Sequence, residues 1–290
     1  MKRFYIAGAL SNPDVCIYLA NCSKMMQVAE EVRQVGGSVY IPAIDLLMGL
    51  KFGYYDYNDY FDNSQPWLDA SDAICLVPGW EDSNGTRREI DRADKHGIPV
   101  FSHIDQVKEF LRPLIVCIVG ESGAGKTLMA ETFENFYHYN LIQSYTTRPP
   151  RTPDENGHTF VTEEQFDKFT FDGEEMIAYT KFGAHRYCCL RRDVLEYNTY
   201  VIDENGLQML RDRYEDDFHI YSIRIRANER IRRTKTSPDR FNRDKGRFNF
   251  KDDAFDFVYH NSYDMKEMIN FVKVTKQNIW ADFINNCLNQ

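Results

Sequence analysis

The first third of the chain alternates two hydrophobic patterns. Short apolar runs at Phe4-Tyr5-Ile6-Ala7, Ser38-Val39-Tyr40-Ile41-Pro42, Ala73-Ile74-Cys75-Leu76-Val77 and Ile98-Pro99-Val100-Phe101 predict strands. Between them, Tyr18 to Val35 carries helical spacing and stops at Gly36-Gly37, and Arg87 to His96 reads as a helix closed by Gly97. Asp105 to Arg112 predicts a short helix leading to Pro113. This βαβ rhythm predicts a parallel sheet with helices on both faces. Ligands on such sheets sit beyond the carboxyl ends of the strands. That rule selects the loops Gly8–Pro13 and Pro78–Thr86 as candidate site loops.

The pattern restarts after Pro113. Leu114-Ile115-Val116-Cys117-Ile118-Val119 is a continuous apolar run, and Leu128, Met129, Ala130 and Phe133 follow at helical spacing. Further strands are predicted at Leu141–Tyr145, Thr199–Asp203 and His219–Ile225. The fold class expected is therefore α/β, with two doubly wound parallel-sheet domains, 1–110 and 111–290. The first is Rossmann- or flavodoxin-like in its rhythm.

Between the restarted strand and its helix lies Gly120-Glu121-Ser122-Gly123-Ala124-Gly125-Lys126-Thr127, which fits the phosphate-loop pattern G-x-x-x-x-G-K-[ST]. Strand, glycine loop and helix aim backbone N–H groups and a helix N-terminus at phosphate. Gly120, Ser122, Gly123, Ala124, Gly125, Lys126 and Thr127 are thus expected to hold the phosphates of ATP. Lys126 is expected to reach the β- and γ-phosphates, and Thr127 to hold Mg²⁺.

Composition narrows the setting. The chain has 290 residues, 43% of them hydrophobic, a net charge of −9 and seven cysteines without C-x-x-C spacing. No run approaches the ~18 apolar residues of a membrane span. The acidic balance makes nucleic acid an unexpected partner, although Arg224 to Lys251 is locally basic. Beside a phosphate loop this stretch more plausibly lines a triphosphate site. The scattered, odd-numbered cysteines point to a reducing cytoplasm rather than to disulfides or zinc.

A second phosphate site is expected downstream. Ser144-Tyr145-Thr146-Thr147-Arg148-Pro149-Pro150-Arg151 sets two arginines three apart beside hydroxyls. Guanidinium forks bind phosphate oxygens in pairs. A donor site and a monophosphate acceptor site are what a nucleoside monophosphate kinase requires. With Asp154, Asn156-Gly157 and Phe160 following in order, the chain from about Leu114 onward resembles the guanylate kinase family. The resemblance implies a P-loop nucleoside monophosphate kinase fold, a monophosphate-binding subdomain near Ser144–Leu190 and a closing lid near Arg230–Arg247. It implies that Arg240 and Arg243 neutralise the transferring phosphoryl group. It makes Tyr187 an acceptor-phosphate ligand and Asp203 the acid after the central strand. Two departures stand out. The family's second phosphate-contacting tyrosine is Phe160 here, and its guanine-reading glutamate falls at Ala178, which weakens the case for guanine.

The first domain carries Leu76-Val77-Pro78-Gly79-Trp80-Glu81-Asp82-Ser83-Asn84-Gly85-Thr86-Arg87-Arg88-Glu89 at a strand end. With Tyr5-Ile6-Ala7-Gly8, it resembles the nucleoside 2-deoxyribosyltransferase-like superfamily, including its phage-type members and deoxynucleoside-monophosphate N-glycosidases. The resemblance implies that Glu89 attacks the anomeric carbon of a deoxyribose and that Tyr5 orients nucleophile or sugar. Gly8, Ser83 and Gly85 would hold the substrate's 5′ end. An aspartate expected before the Ala73–Val77 strand is Ser64 here, so Asp62 is expected to substitute for it.

The expectation is a bifunctional enzyme of nucleotide metabolism, viral in type and cytoplasmic. It would use ATP and Mg²⁺ on small-molecule nucleotides, with a possible homo-oligomer through the first domain. The alternatives are a kinase of nucleic-acid ends or modified bases, and a nucleotide-binding scaffold without turnover.

Overall fold

The computed structural model describes residues 1–153, 155, 157–169, 176–244 and 248–290, apart from the side chains of Tyr57, Phe182 and Arg243. Asp154, Asn156 and the Arg243 side chain therefore lie outside the described residues. The chain divides into two compact units, Met1–Leu111 with Asp282–Gln290, and Arg112–Ala281.

The first unit runs β1 (Arg3–Ala7), α1 (Val15–Gln34), β2 (Ser38–Tyr40), α2 (Leu46–Phe52), α3 (Tyr57–Asp69), β3 (Ala73–Leu76), α4 (Asn84–His96), β4 (Val100–Phe101) and α5 (Ile104–Leu111). All its strand pairs are parallel, in the order β2-β1-β3-β4. The chain moves to one side of β1 and then to the other, so a switch point opens between the carboxyl ends of β1 and β3. Gly8 lies there, where a Cβ would stand 2.7 Å from the Val77 Cβ. Helix starts are specified locally. Asp14 caps α1 through the Cys16 N–H, and Asp56 and Asp59 form a reciprocal capping box at α3. One cluster of the core is Tyr5, Ala7, Leu68, Ile74, Leu76 and Ala93, and Phe4, Ile6, Met25, Val32, Phe101 and Phe110 are buried as well. Full burial of each large apolar side chain contributes about 1.5–3 kcal/mol.

The second unit begins with β5 (Leu114–Gly120) and α6 (Lys126–Tyr137). It continues through β6 (Asn140–Ile142), β7 (Ser144–Thr146), β8 (His158–Phe160), α7 (Glu163–Asp167), β9 (Met176–Phe182), β10 (His185–Leu190), β11 (Tyr197–Val201) and α8 (Glu204–Tyr214). It ends with β12 (His219–Ala227), α9 (Glu229–Lys235), α10 (Pro238–Asp244), β13 (Phe257–Asn261) and α11 (Met265–Leu288), whose last turns belong to the first unit. A parallel five-stranded sheet, β13-β12-β5-β11-β6, has the fully buried β5 at its centre.

A separate four-stranded sheet, β8-β7-β10-β9, occupies the stretch expected to bind a monophosphate. It is mostly antiparallel, with β7 and β8 parallel. Two expectations need correction here. Leu141–Tyr145 is not one strand: it breaks at Gln143 into β6 of the large sheet and β7 of the small one. Helix α4 begins at Asn84 rather than Arg87, because the Ser83 side chain caps it by accepting from the Thr86 N–H.

Candidate active sites

The loop after β5 turns through Gly123 and Gly125, whose φ angles of +78° and +101° lie where side chains are strained. The loop is held from outside. Asn261 Nδ2 donates to the Ala124 carbonyl at 2.7 Å, and the Tyr263 hydroxyl to the Gly123 carbonyl at 2.9 Å. Arg232 of α9 donates to the Ser122 carbonyl at 3.2 Å and pairs with Glu121 at 2.9 Å. Ala124 is fully buried, so its part in the loop is its backbone.

The loop's own contacts include a carboxylate. The Ser122 N–H donates to a carboxylate oxygen of Asp244, on α10, at 2.5 Å. Lys126 Nζ donates to the carbonyls of Gly120 and Glu121 at 2.6 and 3.1 Å.

A cavity of about 600 Å³ adjoins the loop. Gly120, Ser122, Gly123, Gly125, Lys126 and Thr127 line one part of it; Ser144, Arg151, Glu155, His158 and Tyr187 line another. Asp203 and Arg240 line it as well. Asp203 caps α8 through the Gly206 N–H and accepts from the Thr180 hydroxyl at 3.0 Å. Ser144 pairs with the buried Tyr200 hydroxyl at 3.1 Å, and burial pushes that phenol well up. Ala178, the position of the missing glutamate, is buried opposite Cys189.

The paired arginines are arranged differently from the sequence expectation. Arg148 is nearly buried and does not line the cavity; its guanidinium grips Glu155 with both ends, at 2.8 and 3.1 Å. Arg151 reaches the same carboxylate at 3.0 Å and donates its backbone N–H at 2.6 Å. The Arg148 hydrogen bonds, with Arg151 assisting, hold the Glu155 carboxyl down to about 2. Sequence reasoning missed Glu155, His158, Tyr200, Arg232 and Asp244. None belongs to a spacing pattern; folding alone brings them together.

In the first unit, the Tyr5 hydroxyl donates to Glu89 Oε1 at 2.5 Å. Tyr5 is fully buried at the β1 position flanked by β2 and β3. Burial, then the Glu89 charge, pushes its phenol well up. Burial likewise raises the Glu89 carboxyl to about 7, with the Tyr5 hydrogen bond opposing it. Tyr40 packs against Tyr5 at 5.6 Å, and Trp67 stacks on Tyr40 at 5.3 Å.

Asp62 is exposed, whereas Ser64 on the same helix is buried, its hydroxyl donating to the Phe61 carbonyl at 3.0 Å. The inward-facing position of α3 is thus Ser64 rather than Asp62, because residues two apart on a helix face different ways. Ser83 caps α4, its own N–H donating to the Trp80 carbonyl at 2.8 Å, and Gly85 lies in the first turn of that helix rather than in a free turn. No helix among the described residues is long and apolar enough to cross a membrane.

Residues 2–102 match the family model of a domain of unknown function, DUF4406. No curated protein matches the chain. Among solved structures, the chain is similar to a guanylate kinase from Anaplasma phagocytophilum, at 20% identity and a TM-score of 0.45, over 61% of this chain and 89% of that one.

Proposed function

We propose that the second unit transfers the γ-phosphoryl group of ATP to a (deoxy)nucleoside monophosphate. The observation that carries this reading is one cavity walled by a phosphate loop and, elsewhere, by Arg151, Tyr187, Ser144 and Asp203. The loop fits a triphosphate because its Ser122 N–H already holds a carboxylate oxygen. Thr127 lines the cavity where its hydroxyl would hold Mg²⁺. ATP with Mg²⁺ supplies the phosphoryl group and much of the charge neutralisation. Lys126 exchanges its loop carbonyls for phosphate oxygens, and Arg240 and Arg243 of the lid helix add positive charge. The acceptor's own oxygen attacks, so no nucleophilic side chain is required.

The test is a panel of common and modified deoxynucleoside monophosphates with ATP, read by mass. Lys126→Ala should lower turnover by about 10²–10³. Turnover equal to wild type in that variant overturns the assignment.

We infer that the first unit acts on the N-glycosidic bond of a deoxynucleotide. Support comes from Glu89 held against Tyr5 at the switch point. Its carboxylate forms a bond to the anomeric carbon as the bond to the base breaks, and the base leaves with that electron pair. Tyr5 fixes the carboxylate's orientation. Attack requires the ionised carboxylate, so base release should rise with pH through about 7 and then level. A profile that falls over that range contradicts the role of Glu89.

A further inference from the structure

His158 lies on the wall of the second unit's cavity, and no motif accounts for it. Its ring meets Phe160 edge-on at 6.2 Å and Tyr187 at 5.8 Å. Tyr187 is the residue expected to hold the acceptor phosphate; Phe160 stands where a second hydroxyl is missing. His158 Nδ1 is buried and has no hydrogen-bond partner among the described residues. A buried donor or acceptor without a partner is uncommon and calls for an explanation.

The charged groups facing this ring come from the loop after β7: Arg148, Arg151 and Glu155. Tyr187 faces it from β10. Glu155 already occupies the Arg148 fork and one arm of Arg151. An incoming phosphate therefore meets fewer unengaged guanidinium donors than the sequence promised, and His158 sits beside it.

We propose that His158 binds the acceptor's phosphate as an imidazolium, taking the place of the hydroxyl absent at Phe160, so that acceptor binding carries a proton into the site. This rests on the monophosphate-kinase reading of the same cavity. In the empty site the imidazole is held below its ordinary value, first by burial and then by Arg148, with Glu155 opposing. A dianionic phosphate reverses that balance, because an opposite charge within a few ångströms favours the charged form. The sign follows from linkage: the proton is taken up at pH values between those of the empty and filled site. Acceptor affinity then falls as pH rises through the filled-site value, while ATP affinity is unaffected.

The experiment is calorimetry of dGMP and dTMP binding to the full chain, near pH 7.5, in two buffers of different ionisation enthalpy. A monophosphate has shed most of its second proton by then, since its pKa is about 6. Wild type should take up as much as one proton per acceptor bound. His158→Gln should abolish the uptake and weaken binding about ten- to a hundredfold, the loss expected for a charge-assisted hydrogen bond. The double variant His158→Gln/Phe160→Tyr should regain affinity without regaining proton uptake. Equal proton counts in wild type and His158→Gln overturn the role of His158. Absence of wild-type binding to dGMP, dTMP and every other monophosphate of the turnover panel overturns the kinase reading itself, a result distinct from the first.

Discussion

Glu89 shows how one residue can serve two ends. Its carboxyl is raised to about 7 because burial disfavours the charge, so at neutral pH the fold carries a partly ionised group where a neutral one is preferred. A raised acid contributes stability that is fully present below its unfolded value and is lost as pH rises through the folded one. The window is thus about pH 4.5 to 7, and the loss amounts to at most ~3 kcal/mol, since Glu89 retains partial solvent contact. Glu89→Gln should remove that loss. The variant should melt at nearly the same temperature at pH 5 and pH 8, where wild type drops, and should release no base. A wild type as stable at pH 8 as at pH 5 contradicts the burial argument. Conflict between stability and chemistry of this kind is expected at working sites.

At the scale of elements, what holds the second site together is a buried ion pair. Arg224 of β12 donates to Glu204, in the first turn of α8, at 2.8 Å, and both are almost fully buried. The other Glu204 oxygen accepts from the N–H groups of Asn249 and Phe250, at 2.7 and 3.1 Å. One carboxylate thus ties the central sheet to α8 and to the segment after α10. Glu204→Ala should destabilise by about 3–5 kcal/mol in chemical denaturation, because it leaves Arg224 buried without its partner. Glu204→Leu, which also loses the backbone acceptors, should be no better unless Arg224 is replaced with it.

Such contacts mark the limit of what the sequence reveals at this scale. The central strands of both parallel sheets were legible because burial on both faces writes a continuous apolar run, as in Ala73–Leu76 and Leu114–Val119, whereas the edge strand Phe257–Asn261, only partly buried, was not foreseen. The phosphate loop was legible because its glycines answer to backbone geometry. The small sheet was not, since His158–Phe160 and Ser144–Thr146 are only three residues each, too short to write a pattern. Nor was the Glu155 clamp on Arg148 and Arg151, which depends on how the intervening loop folds back rather than on spacing.

For the whole molecule, the least local feature is the end of α11. Its last turns belong to the first unit, although the sequence assigns them by position to the second. Phe283 and Cys287 are fully buried there. Phe283 stacks on Phe110 at 5.6 Å, and Gln106 donates to the Leu288 carbonyl at 3.0 Å. Lys2 donates to the Phe110 carbonyl and lies 3.9 Å over the Phe110 ring and 5.1 Å from that of Phe283. A fragment covering Met1–Leu111 therefore lacks part of its own core. Phe283→Ala should cost the first unit about 3–5 kcal/mol, the range for emptying a buried aromatic position. Lys126 and its loop belong to the other unit, so this variant should lose thermal protection of the proposed base-release activity while the proposed ATP-dependent phosphorylation persists to higher temperature. Activities measured after brief heating across a temperature series give the comparison. Simultaneous loss of both activities would mean that the two units unfold as one, and that the last helix, held at its end by the first unit, transmits the damage.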